Sequence, residues 1–344
     1  MIVRRWSGAR WWRTSALIAV LVGSSAATLG AQTSRYDSTV VSVAGSGPTT
    51  YVLVSGVVGS VAGFRRLADV LKQNHRVITI DPYRIAIDSA DVTFAALARV
   101  VDAVLDEYGV DSARVVGHAH GAGVALRLAA SSPRRVAALY FLDAGAIAEN
   151  KTKVFSSSLR LAPLIARLPG GRGFVRGRFT RGLRQNAGRQ EWLDSATMNG
   201  YTEPFLDHLS KVVTMAGRLS RAREPESRLT LIERIHVPVT LIIGALPHPT
   251  EPDSAQLAAL APLGPLLRIE RLEGVGHFPH EEATSRVAEL LMEGAAIRSG
   301  LSFRAKARNR DRPGRGASNF KGAGSLNSGS FVHPHISNST NLTP

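Results

Sequence analysis

Seven short runs rich in β-branched and other apolar residues punctuate this chain, and they dictate what it can fold into. They are Val40–Val43, Tyr51–Val54, Arg76–Ile80, Arg114–Val116, Ala138–Leu142, Pro238–Ile243 and Leu267–Leu272. Most are apolar throughout rather than alternating, the pattern of strands covered on both faces. Between them, Phe64–Lys72, Phe94–Tyr108, Ala122–Ala130 and Glu281–Met292 place apolar residues at three- and four-residue spacing, which predicts amphipathic helices. Strands alternating with helices give an α/β fold, a mostly parallel central sheet flanked by helices.

One stretch interrupts the alternation. Residues 144–235 contain no convincing strand but hold many arginines and the apolar clusters Leu159–Leu168 and Phe205–Met215. An insertion of this size after a strand predicts a helical cap over the carboxyl edge of the sheet, where such folds bind ligands. The core is then 38–143 together with 236–296.

Both ends are expected to stand outside that core. Arg4, Arg5, Arg10 and Arg13 precede the apolar run Ser15–Gly23 and a small-residue stretch ending at Ala31. This predicts a signal peptide over residues 1–31, cleaved near Ala31, and hence export to the periplasm or beyond; an uncleaved membrane anchor is the alternative. Residues 299–344 are rich in Gly, Ser, Asn and Arg, without apolar period, and are expected to form a disordered basic tail. Residues 1–31 and 298–344 together supply +11 of the formal net charge of +15, so the charge is no mark of nucleic-acid binding, and no recognition motif accompanies it. The chain contains no cysteine, which excludes disulfides, thiolate metal sites and a cysteine nucleophile.

The chemistry concentrates in three segments. Val115-Val116-Gly117-His118-Ala119-His120-Gly121 joins a strand to a helix through a glycine-flanked turn. Val237–Gly244 is an apolar run ending in glycine, and Gly274-Val-Gly-His277-Phe-Pro-His280-Glu281 is a loop leading into the final helix. In this order and spacing they resemble the α/β-hydrolase fold family, in particular its capped esterase, lipase and epoxide-hydrolase-like members. The resemblance spans about residues 38–296. It implies a nucleophile on a sharp strand-to-helix turn, a histidine that takes its proton, and a carboxylate that orients the histidine.

Against that pattern the chain departs at several points. The nucleophile position is Ala119, whose methyl cannot attack a carbonyl. The acid expected after the penultimate strand is replaced by Gly244-Ala-Leu-Pro247 and His248, with Glu251 and Asp253 close behind. Asp143, after the preceding strand, occupies an alternative acid position of the family. Only His277 stands where the resemblance implies. An oxyanion recess would use the backbone N–H groups of Val57 and His120, which depend on no side chain. The turn carrying Val57, Ser55–Ser60, lacks the usual His-Gly, and Asp81–Asp88 lacks the glycines of its counterpart loop.

No cofactor and no metal site are expected. His120, His248 and His277 nevertheless lie on loops that the fold brings together, a set of imidazoles of the kind that holds Zn²⁺. The arginines 172, 176, 178, 181, 184 and 189 read either as a solvated face or as a contact for anionic membrane. The expectation is therefore an exported hydrolase-fold protein with a degenerate triad. It would bind a small apolar, ester-like or lipid-like ligand with little or no hydrolase activity. The alternatives are a hydrolase using water activated by His277 or by a histidine-bound metal, and a membrane-surface module using the basic cap and tail. Whether the chain is an enzyme is left open by Ala119.

Overall fold

The computed structural model describes residues 34–144 and 160–293. The predicted leader, the tail and residues 145–159 of the insertion lie outside them. Seven strands form one sheet: β1 (Val41–Ala44), β2 (Thr50–Val54), β3 (Arg76–Ile80), β4 (Ala113–His118), β5 (Val136–Leu142), β6 (Val239–Gly244) and β7 (Leu267–Leu272). Their order is β1-β3-β2-β4-β5-β6-β7, with β1 antiparallel to β3 and every other pairing parallel.

Side-chain alternation divides each strand between two cores. Val52, Val54, Val115, Leu139, Phe141, Leu241 and Ile243 face one side. There they pack with α3 (Phe94–Glu107) and α4 (His120–Ser131), behind α1 (Arg65–Leu71) and the short α2 (Pro82–Ile85) in chain order. Tyr51, Leu53, Val116, Tyr140, Leu142 and Ile242 face the other side, against Leu67 and Leu71 of α1 and Val287, Leu290 and Leu291 of the last helix, residues 284–293. Both tyrosines also donate a hydroxyl to the Leu291 carbonyl, at 3.1 and 2.9 Å, so the aromatic rings are buried without orphaned oxygens.

The described part of the stretch between β5 and β6 holds helices and no strand: α5 (Ala162–Ile165), α6 (Gly171–Asn186), α7 (Ser195–Asp207), α8 (Leu209–Leu219) and α9 (Arg228–Ile232). It holds small apolar clusters of its own, one around Val175, Phe205 and Val212 and another joining Leu183, Trp192 and Tyr201 to Phe278. After β6 come α10 (Ser254–Ala258) and, beyond β7, α11 (Pro279–Glu282). The continuous helix expected over Glu281–Met292 is broken at Ala283, whose φ of −138° is not helical. That break turns α11 into a separate short element beside the His277 loop.

Candidate active site

The turn between β4 and α4 is built by glycine at two points. A β-carbon on Gly121 would stand 2.3 Å from the Val54 carbonyl oxygen and 2.7 Å from that of Ser55; one on Gly117 would stand 2.6 Å from Ala122 Cα. Only glycine lets the helix start this close to the sheet. The turn itself is Ala119, at φ 49° and ψ −118°, a conformation L residues rarely adopt and one that costs on the order of 1–3 kcal/mol. It is held by the Ala119 N–H donating to the Leu142 carbonyl (3.0 Å) and by the Ala122 N–H donating to the Ala119 carbonyl (3.1 Å). The backbone thus keeps the strained geometry that projects a nucleophile, while the side chain is a methyl.

Asp143 follows directly on β5, itself at positive φ (45°) and wholly buried. Its Oδ2 accepts from His277 Nδ1 at 2.6 Å and lies 2.7 Å from His248 Nε2, while Oδ1 accepts from the Gly244 amide at 3.3 Å. Burial pushes the carboxyl up, but the hydrogen bonds and charges of the two imidazoles outweigh it and hold Asp143 at about 2. The carboxylate is therefore ionised and orients His277 with Nδ1 protonated. That leaves Nε2 of His277 as an acceptor, with no protein partner among the described residues.

Three neighbouring histidines are held below their ordinary range. Burial, then the neighbouring His277, depresses His118 to about 3 and His120 to about 4. His280 is pushed well below its ordinary value by burial and by His118. His118 donates from Nε2 to the His277 carbonyl at 2.8 Å, and its ring lies 4.7 Å from that of His277. It thus braces the backbone that carries His277.

The remaining candidates sort by position. A β-carbon on Gly56 would lie 3.5 Å from Ala119 Cβ and 3.7 Å from the His120 amide nitrogen, so the turn carrying Val57 adjoins the elbow. Ser60 is tied away, donating to the Gly200 carbonyl at 3.0 Å. Glu251 pairs with Arg271 (3.6 Å) and Asp253 caps α10, so neither serves His277. The set of imidazoles changes by one member: the ligand atoms lying within 4.8 Å of one another belong to Asp143, His248 and His277. His120 is absent from that group; it sits in the first turn of α4 with its ring 6.0 Å from Phe94. Of the basic run, Arg172 bonds Glu203 and Asp207, and Arg176 pairs with Glu203, so part of that charge is neutralised on α7.

One residue of the site gave no signal in the sequence. Glu282 Oε2 accepts from the backbone amides of Gly188 (2.9 Å), Arg189 (2.8 Å) and Gly276 (2.9 Å), and Oε1 accepts from Phe278 (3.1 Å). The His277 amide in turn donates to the Asn186 carbonyl at 2.8 Å. A single buried carboxylate fastens the loop bearing His277 to the end of α6. A glutamate opening a helix reads as an ordinary first-turn acid, and nothing in its spacing reports amides supplied from the insertion.

Residues 40–290 match the model of the alpha/beta hydrolase family. Over 107 residues the chain is 34% identical to a protein of Azorhizobium caulinodans provisionally named carbamate hydrolase RutD, a stretch covering 30% of this chain and 40% of that relative. Among solved structures, an alpha/beta hydrolase fold protein from Burkholderia ambifaria superposes with a TM-score of 0.58 at 20% identity, covering 74% of this chain and 93% of the other. A thermophilic esterase from Thermogutta terrifontis gives 0.55 at 19% identity, covering 76% and 92%.

Proposed function

Because this chain belongs to the α/β hydrolase family yet carries Ala119 at the elbow, we propose that it binds a small, largely apolar carbonyl or ester compound without ever bonding to it. The observation that carries this reading is the pairing of Asp143 with His277 at 2.6 Å beside a methyl group. A base that is oriented and ionically supported can polarise a bound water or ligand hydroxyl through Nε2. With no hydroxyl at residue 119 there is no acyl-enzyme, so catalysis is limited to what base and backbone donors supply. In serine hydrolases stripped of a triad member, that residue is about 10³–10⁴-fold over water, far below a complete site. The loss is thus narrower than the sequence suggested: the nucleophile is gone, while acid and base are joined. The Arg-rich leader ending at Ala31 supports export of the mature chain.

The test pairs covalent and non-covalent readouts. The wild-type chain is treated with a fluorophosphonate probe and assayed with a short-chain p-nitrophenyl ester. It is expected to take no label, to show no burst, and to bind ester analogues with a change in the emission of Trp192, which packs 5.1 Å from Phe278. Labelling of the wild-type protein, or a burst of p-nitrophenol, would overturn the proposal.

A further inference from the structure

At the end of β5 a single carboxylate oxygen meets two imidazoles. Asp143 Oδ2 lies 2.6 Å from His277 Nδ1 and 2.7 Å from His248 Nε2. The other nitrogen of His248, Nδ1, lies 2.8 Å from the Leu246 carbonyl oxygen. A carbonyl only accepts, so Nδ1 carries a proton. A neutral His248 would then aim the lone pair of Nε2 at an anionic oxygen, which is repulsive. A positive centre must stand between them: either a second ring proton or a metal ion.

We propose that Asp143, His248 and His277 form a binding site for a divalent ion of the zinc or cobalt type, held by Asp143 Oδ2, His248 Nε2 and His277 Nδ1 in exchange for protons. The three ligand atoms lie within 4.8 Å of one another. Metal bonds of about 2.0–2.2 Å at tetrahedral angles would set them roughly 3.3–3.6 Å apart, so the two Asp143 contacts open by about 0.6–1.0 Å. The Leu246 carbonyl is the outer partner that a ligating histidine ordinarily has, fixing its tautomer and its ring. Two imidazoles and one carboxylate favour zinc-like ions over Mg²⁺ or Ca²⁺, which prefer all-oxygen ligands. The side chains of Asp143 and His248 are 0% and 2% exposed and that of His277 13%, so the site is enclosed on most sides.

The protons balance as follows. On metal binding His248 releases its Nε2 proton to solvent. His277 gives up the proton on Nδ1 and holds one on Nε2 instead. One proton leaves per ion bound. His277 Nε2 thereby changes from acceptor to donor, so the loaded site has no free base. This inference does not rest on the proposed function: the metal is read by spectroscopy and calorimetry, and the base by activity after chelation.

The experiment is a Co²⁺ titration of the full chain near pH 7.5, followed by visible absorption and by calorimetry in two buffers of different ionisation enthalpy. The expected result is one ion per chain at micromolar affinity or tighter, a d–d band, and release of one proton. His248→Ala is expected to weaken binding about 100-fold or more, a loss at least as large as that from an outer-shell partner. His248→Gln, which keeps a donor toward Asp143, is expected to do the same with an unchanged melting profile. His236→Ala, at an exposed histidine, should leave binding as it is. Absence of saturable binding below about 1 mM would overturn the proposal. So would a cobalt band that survives both His248 variants, which marks an adventitious ion only.

Discussion

The carboxylate of Asp143 and the imidazole of His277, 134 residues apart in the chain, meet at 2.6 Å. Two strand ends, those of β5 and β7, converge at the carboxyl edge of the sheet to make that contact. Ala119, at the end of β4, completes the neighbourhood in which the fold normally assembles a full triad. At the turn itself the side chain is a methyl, with no hydroxyl to complete the group.

Restoring that oxygen is the sharpest prediction. The elbow already holds φ 49° and ψ −118°, so Ala119→Ser needs no backbone change. The variant is expected to gain fluorophosphonate labelling and to raise p-nitrophenyl ester hydrolysis by about 100-fold or more, within the range a triad member commands. Labelling is followed by mass spectrometry and turnover by absorbance.

In the Ala119→Ser background, Asp143→Asn should remove most of the gain. An amide in place of the carboxylate neither supports an imidazolium nor enforces the tautomer with Nδ1 protonated. A drop in kcat of about 100-fold or more, matching the gain, with KM little changed, is expected from steady-state kinetics.

Gly121 should tolerate no side chain. Its β-carbon would collide with the Val54 carbonyl at 2.3 Å, backbone against backbone, and neither partner can turn away. Gly121→Ala is expected to cost about 3 kcal/mol in urea unfolding. Gly177, exposed on α6 with nothing within 4 Å of an added carbon, provides the contrast. There alanine is expected to stabilise by about 0.5–1 kcal/mol, through helix propensity and a less flexible unfolded chain.

Asp81 should make stability depend on pH. Burial raises its carboxyl from 3.8 to about 7, against the opposing pull of the Arg84 amide and guanidinium. Between those values the folded chain holds a proton that the unfolded chain has released. Asp81's contribution is then fully present below about pH 4 and is lost as pH rises to about 7. The depressed histidines push the other way, so the informative quantity is the difference between wild type and Asp81→Asn. The variant is expected to gain on the wild type as pH rises from 5 to 8, ending more stable by about 1 kcal/mol or more. Urea midpoints at the two pH values measure it.

Much of this architecture was readable in the chain because the strands are buried on both faces. Val77–Ile80 and Leu139–Leu142 announce themselves as apolar runs wherever the register falls, and their ends shifted by only a residue or two. The elbow was legible because glycine at 117 and 121 is a local steric requirement. Asp143 could be named only as one acid among several, since what selects it over Glu251 and Asp253 is the parallel pairing of β5 with β6. His248 was placed in the right loop without a direction, because a ring's aim depends on a hydrogen bond to Leu246 that no spacing reveals. Its grouping with His120 failed for the same reason: His120 turns with the first residue of α4, toward Phe94.

Glu282 has a mechanical consequence. By gripping amides at Gly188 and Arg189 with one oxygen that also grips Gly276, it welds the exit of α6 to the loop of the base. Any swing of the insertion about that end would carry His277 off Asp143. The insertion works here less as a door than as the anvil against which the base is held.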